Sequence, residues 1–247
     1  MLLYAEGDEF QRPYTGLRGL PPLTTIDRSS RETCGWPRLV LIGASTGGPA
    51  ALARLLPEFP PGFAAPIVVC QHMTTGFTAP LAQHLDRLCP LPVSEAVHGE
   101  PVQPGRIYLA PAGWQTRICE DRGAVCFQIE DGGAYLYRPC IDVTLTSLAA
   151  LYRQDLLAII LTGMGRDGTD GCRAVHKYRG YVMVEAPETC AVYGMPRSVY
   201  QEGLADVQLP LHALWPHIEE RQRALRMVSR VDGSAVQHPE ETGRKPS

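Results

Sequence analysis

From Arg38 onward the apolar residues fall into two alternating rhythms. Short, nearly continuous apolar runs, as expected of strands buried on both faces, cover Leu39 to Ala44, Ile67 to Gln71, Val93 to Val97, Ile107 to Ala110, Leu157 to Thr162 and Tyr181 to Ala186. Between them lie segments with helical spacing. Phe77, Leu81, Leu85 and Leu88 recur at intervals of four, four and three, which predicts one stripe of a helix beside the second strand. Val143, Leu145, Leu148 and Leu151 mark another helix. Thr116 to Cys119 and Ala124 to Ile129, joined through Asp121-Arg122-Gly123, predict a β-hairpin inserted among these units. Strand and helix in alternation imply an α/β fold: a doubly wound, mostly parallel sheet with helices on both faces.

The ends of the chain have a different texture. Residues 1–37 hold Pro13, Pro21, Pro22 and Pro37 with turn residues and no sustained period, which predicts a flexible arm. Beyond residue 211, Leu214, Ile218, Leu225 and Val228 predict a short amphipathic helix, followed by a disordered polar tail. The main domain is therefore expected over residues 38–211.

Composition narrows the function classes. A net charge of −3 over 247 residues supplies no basic excess of the kind that nucleic-acid binding uses. The longest apolar runs are far below the roughly 20 residues that span a bilayer, so membrane insertion is not expected. The first ten residues carry three acids and no basic residue, unlike a secretory signal, and a cytoplasmic protein is expected. The eight cysteines show no Cys-x-x-Cys spacing, so they are read as reduced thiols in small apolar sites, with no metal and no cofactor.

Three strand ends carry chemistry. Gly43-Ala44-Ser45-Thr46-Gly47 places a serine at a glycine-flanked bend between strand and helix, where a hydroxyl is pushed outward and the helix N–H groups can stabilise an oxyanion. Two plainer readings stand beside it, a helix N-cap and a phosphate loop. The second fits poorly because Pro49 occupies the position where a phosphate loop carries lysine. His72 directly follows the second strand, and Asp167 lies in the glycine-rich turn Thr162–Gly171 after the fifth of the six runs. A lone loop histidine or an Asp-Gly turn means little by itself. Parallel sheets, however, bind ligands outside the carboxyl ends of their strands, so the three loops are expected to share one rim. Serine, histidine and carboxylate together make a hydrolytic triad, in which the imidazole deprotonates the serine and the carboxylate orients the imidazole. Turnover should then rise with pH as His72 loses its proton. The order Ser, His, Asp does not match that of α/β-hydrolases.

The strings Ile42-Gly43-Ala44-Ser45-Thr46-Gly47-Gly48-Pro49, Gln71-His72-Met73 and Ile160-Leu161-Thr162-Gly163-Met164-Gly165-Arg166-Asp167-Gly168 resemble the catalytic domain of the CheB family, the bacterial chemotaxis protein-glutamate methylesterases. Pro104-Gly105, Tyr108-Leu109-Ala110-Pro111, Arg138-Pro139, Asp142-Val143 and Tyr193-Gly194-Met195-Pro196-Arg197 extend the similarity over roughly residues 38–211. The resemblance implies demethylation of glutamate methyl esters on the cytoplasmic helices of methyl-accepting chemoreceptors, and often deamidation of receptor glutamines. It implies Ser45 as nucleophile, His72 as general base and acid, Asp167 as orienting carboxylate, Thr46 and Met164 at the oxyanion position, and Arg138 in receptor docking.

Two stretches depart from the family pattern. Ala112-Gly113-Trp114-Gln115 lacks a His-Met pair, and Tyr137-Arg138-Pro139-Cys140-Ile141-Asp142 replaces a segment that usually ends Ser-Val-Asp. A changed substrate-facing rim around Gln115 and Cys140 is therefore expected, and a related esterase or amidase with another substrate stays in view, as does a non-catalytic phosphate-binding module. Only 37 residues precede the expected domain, too few for the receiver domain typical of the family. The expectation is an esterase without phosphorylation control in cis, with a separate response-regulator or scaffold protein as a further candidate partner.

Overall fold

The computed structural model describes residues 36–121 and 123–233. The expected arm up to residue 35 and the expected tail from residue 234 lie outside the described residues. Strands β1 (Leu39–Ala44) and β2 (Ile67–Gln71) are followed by β3 (Val93–Glu95), β4 (Ile107–Leu109), β5 (Trp114–Asp121), β6 (Ala124–Asp131), β7 (Leu156–Ile160), β8 (Tyr181–Glu185) and β9 (Val207–Leu209). The helices are α1 (Gly48–Leu55), α2 (Thr78–Asp86), α3 (Ile141–Tyr152), α4 (Thr169–Lys177), α5 (Met195–Gln201) and α6 (Leu211–Gly233). Seven strands form one parallel sheet in the order β3-β4-β2-β1-β7-β8-β9, and β5 and β6 form the inserted antiparallel hairpin.

The alternation of side chains along each strand builds two cores. Val40, Ile42 and Ala44 of β1 point into one, against Leu52 and Leu55 of α1, Ala82 and Leu85 of α2, and Leu214 and Ile218 of α6. Leu39 and Leu41 point into the other, against Ile141, Leu145 and Leu148 of α3, Val175 of α4, Val199 of α5, and Ile118 and Phe127 of the hairpin. Each fully buried aliphatic side chain contributes about 1.5–3 kcal/mol, so a central strand buried on both sides anchors everything beside it.

The helix beside β2 departs from its expected stripe. It spans only Thr78–Asp86, so Phe77 and Leu88 fall beyond its ends and are 58% and 45% exposed. The buried face is Thr78, Ala82 and Leu85. Thr78 reads as polar in sequence, but its hydroxyl accepts the Ala112 N–H at 3.0 Å, which satisfies it in the core. The C-terminal helix is longer than expected. It runs 23 residues through Pro216, buries Leu214 and Ile218 completely, and leaves Leu225 on its exposed side. Among the described residues no helix is long and apolar enough to cross a membrane.

Candidate active site

Strand register alone brings Ser45 and His72 together. β1 and β2 are parallel neighbours with Ala44 opposite Gln71, so the next residue on each chain leaves the sheet at the same level. The His72 N–H donates to the Ala44 carbonyl at 2.9 Å. On the other side of β1, the turn after β7 is tied to the serine by Ser45 N–H donating to Thr162 O at 3.0 Å. Ser45 is not the N-cap of α1. Gly47 takes that place with φ of 84°, a left-handed conformation open to glycine, and a side chain there would meet Ala191 at 2.5 Å. Ser45 is thereby left half-exposed at the bend.

Asp167 lies in the turn before α4 and is 4% exposed. One oxygen, Oδ2, meets His72 Nε2 at 2.7 Å and accepts the Ile141 N–H at 2.8 Å. The other, Oδ1, accepts the Asp142 and Gly168 N–H groups, each at 3.0 Å, and the Cys140 thiol at 3.3 Å. The carboxylate thus sits against the amino-terminal turn of α3, where N–H groups lack partners within the helix. Burial alone would raise its pKa. The hydrogen bonds from His72, Ile141 and Asp142 outweigh burial and hold Asp167 below the ordinary carboxylate range. Asp142 behaves oppositely: burial and the neighbouring Asp167 charge push it up to about 7. Cys140, Asp142 and Asp167 cluster as three potential metal ligands. Asp167, however, is already saturated with donors, and the Cys140 thiol is pushed up by burial and by Asp167, so the set reads as a hydrogen-bonded carboxylate and not as a metal centre.

His72 presents its other nitrogen, Nδ1, buried and without a hydrogen-bond partner. Asp167 and His72 are therefore joined, and Ser45 stands beside them on the adjacent strand. The serine–imidazole hydrogen bond is not among those formed, as is common in unliganded hydrolases, where such bonds tighten on substrate binding. Thr46 and Met164 are both exposed, on turns that Thr162 links by donating its hydroxyl to Thr46 O at 2.9 Å. The segment after β8 holds the Met164 turn in place: Gly194 and Met195 N–H both donate to Gly163 O, at 3.0 and 2.9 Å. Gly163 is compact by necessity, since a Cβ there would lie 2.8 Å from that of Ser45. Arg138 lines a cleft of about 440 Å³ with His72, Met73, Thr75, Leu136 and Tyr137, and its guanidinium lies 3.8 Å from Asp131.

Gln115 and Cys140 are not on the rim. Gln115 is 1% and Cys140 8% exposed. The Gln115 amide donates to Tyr137 O at 2.7 Å and accepts the Cys140 N–H at 2.9 Å, clamping the rim from beneath. Sequence reasoning also missed the residues that join the site loops. Buried Gln71 donates to both Ser45 O and His72 O, at 2.9 and 2.8 Å. Buried Glu185 accepts the Thr162 N–H at 2.8 Å. Their signal was available: Gln71 and Glu185 each follow a run of buried apolar residues at the end of a strand, and a polar residue in that position needs a partner in the loops beyond.

The chain has counterparts among known proteins. A family model described as CheB methylesterase matches residues 40–218. Protein-glutamate methylesterase/protein-glutamine glutaminase of Desulfitobacterium hafniense is 44% identical over 184 residues, 74% of this chain and 47% of that protein. The protein of the same name from Thermotoga maritima is 45% identical over 178 residues, 72% of this chain and 52% of that one. The chain thus spans about half the length of these curated relatives. The crystal structure of the Thermotoga maritima CheB methylesterase catalytic domain superposes with a TM-score of 0.72 at 44% identity, covering 76% of this chain and 98% of that domain. With the family match extending over most of the chain and a solved catalytic domain matched almost end to end, the chain belongs to the CheB methylesterase family.

Proposed function

We propose that the chain is a serine hydrolase that demethylates glutamate γ-methyl esters on the cytoplasmic helices of chemoreceptors, in chemosensory signalling. The observation that carries this reading is the Asp167–His72 Nε2 bond of 2.7 Å beside a β1–β2 register that sets Ser45 next to His72. In this mechanism Ser45 Oγ attacks the ester carbonyl and its proton passes to His72 Nδ1, the nitrogen that Asp167 leaves available. The tetrahedral oxyanion is met by the backbone N–H groups of Thr46 and Met164. His72 then returns the proton to the departing methoxide, methanol leaves, and water repeats the sequence on the acyl-serine to release glutamate. Asp167 holds the imidazole tautomer and stabilises its cation.

The glutaminase half of the relatives' name extends the proposal to receptor glutamines. The same attack with proton delivery to the leaving nitrogen releases ammonia. Arg138, which lines the cleft, is proposed to help seat the receptor segment. Cytoplasmic localisation belongs to the same proposal; the free thiols of all seven described cysteines fit a reducing compartment. The case for a different substrate rested on a changed rim at Gln115 and Cys140, and both side chains lie beneath that rim.

The test is methanol release from methyl-esterified receptor. Ser45→Ala should lower it by about 10⁴-fold or more while thermal unfolding stays within a degree or so of wild type. Methanol release retained in that variant would overturn the mechanism. Faster turnover of simple methyl esters than of receptor would overturn the substrate.

A further inference from the structure

The mechanism uses one edge of the His72 ring for Asp167 and the other for Ser45, and leaves its faces unaccounted for. One face is covered. The Tyr137 ring lies parallel to the imidazole, 4° between planes and 4.4 Å between centroids. Tyr137 is itself held in place: buried Gln115 donates to its carbonyl and accepts the N–H of Cys140 three residues on. Its hydroxyl end reaches the Met164 turn, where a Cβ on Gly165 would lie 3.3 Å from Tyr137 Oη.

A single hydrogen bond from Nε2 to Asp167 fixes one point of the imidazole and leaves the ring free to roll about that bond. A parallel aromatic face removes the roll. It also favours the protonated ring, because the electron-rich face attracts a cation. The charged and titratable groups around His72 are Asp167 at Nε2, Tyr137 on the face and Arg138 along the cleft, with Asp142 and Cys140 behind Asp167.

We propose that Tyr137 is a positioning residue: its stacked ring holds the His72 plane with Nδ1 toward Ser45 and stabilises the imidazolium formed when the serine gives up its proton. The proposal rests on the hydrolase reading above and adds to it a residue that acts through the face of the imidazole.

The experiment uses the full chain, a methyl-esterified glutamyl peptide and four variants: Tyr137→Phe, Tyr137→Trp, Tyr137→Leu and Ser45→Ala. The aromatic variants keep the face and should stay within about threefold of wild-type kcat. Tyr137→Leu should lower kcat by about tenfold or more with KM changed less than about twofold. If the leucine variant does not fold, Tyr137→Thr serves in its place, at a half-buried position open to solvent. Wild-type kcat in a folded Leu or Thr variant would overturn the proposal. So would a Phe variant as impaired as Leu, which would assign the effect to the hydroxyl. A Ser45→Ala variant that still releases methanol would bring down the hydrolase reading and this proposal with it. An inactive Ser45→Ala beside an unimpaired Tyr137→Leu would remove this proposal alone.

Discussion

At the carboxyl ends of β1, β2 and β7, polar side chains face one another and are held by directed hydrogen bonds, with Asp167 alone meeting five donor groups and the Tyr137 ring stacked on His72. At the amino end of the same sheet the holding is of another kind. The Arg221 guanidinium of α6 lies 3.9 Å from the centroid of Tyr181, the first residue of β8, and 4.7 Å from that of Trp36, just before β1. His217 stacks on Tyr181 and shares a 3.1 Å hydrogen bond with its hydroxyl. Hydrogen bonds fix angles as well as distances, whereas a cation–π contact to a long guanidinium side chain tolerates small shifts. One end therefore sets the geometry of the candidate site, and the other secures a helix to the body of the fold. Damage at the first should appear in rate, and damage at the second in stability.

Asp167→Asn is the sharpest way to probe the first end after loss of the serine itself. The amide cannot stabilise an imidazolium as a carboxylate does, and its NH₂ would face N–H groups that now donate to oxygen. We expect kcat to fall by about 10³–10⁴-fold, measured as methanol release. A loss below tenfold would remove Asp167 from the mechanism. Arg221→Ala probes the opposite end. Loss of a two-sided cation–π contact, about 1–2 kcal/mol, should lower Tm by roughly 2–8 °C with kcat unchanged. A large fall in kcat at unchanged Tm would break the division between the two ends.

The smallest expected effect lies where the polar end is frustrated. The folded-state pKa of Asp142 is raised to about 7, above its unfolded value, so its contribution to stability is fully present below the unfolded pKa and lost as pH rises through about 7. Asp142→Asn keeps an acceptor for the Gly171 N–H, which Asp142 Oδ1 now takes at 2.7 Å, and removes the charge. The Tm of the variant relative to wild type should therefore climb between about pH 4 and pH 8 and then level off. A pH-independent difference would show that Asp142 is not held protonated by its surroundings.

Strand positions were legible because burial on both faces leaves continuous apolar runs, and β1 and β2 occupy the spans read from them. The helix after β2 was harder. Phe77 and Leu88 keep the helical spacing in sequence but lie outside the helix, while Thr78 is buried on the strength of a hydrogen bond to a residue 34 positions away. Local periodicity carries no record of such partners. Ser45, His72 and Asp167 were legible for a related reason: each follows a recognisable buried strand, and parallel topology sends those ends to one side. Gln115 was misread as rim because its two partners, Tyr137 and Cys140, come to it only through the hairpin and the loop that follows.

The amino-acid sequence by itself determined the parallel α/β architecture, the family and the placing of Ser45, His72 and Asp167 at strand ends on one side of the sheet, since each is written in short-range pattern and motif. Only the tertiary structure decided which imidazole nitrogen Asp167 takes, that Tyr137 covers the ring, and that Cys140 and Asp142 crowd the same carboxylate. Those are relations between side chains distant along the chain, set to fractions of an ångström by how the two cores pack against the sheet, and short-range pattern does not encode distances of that kind.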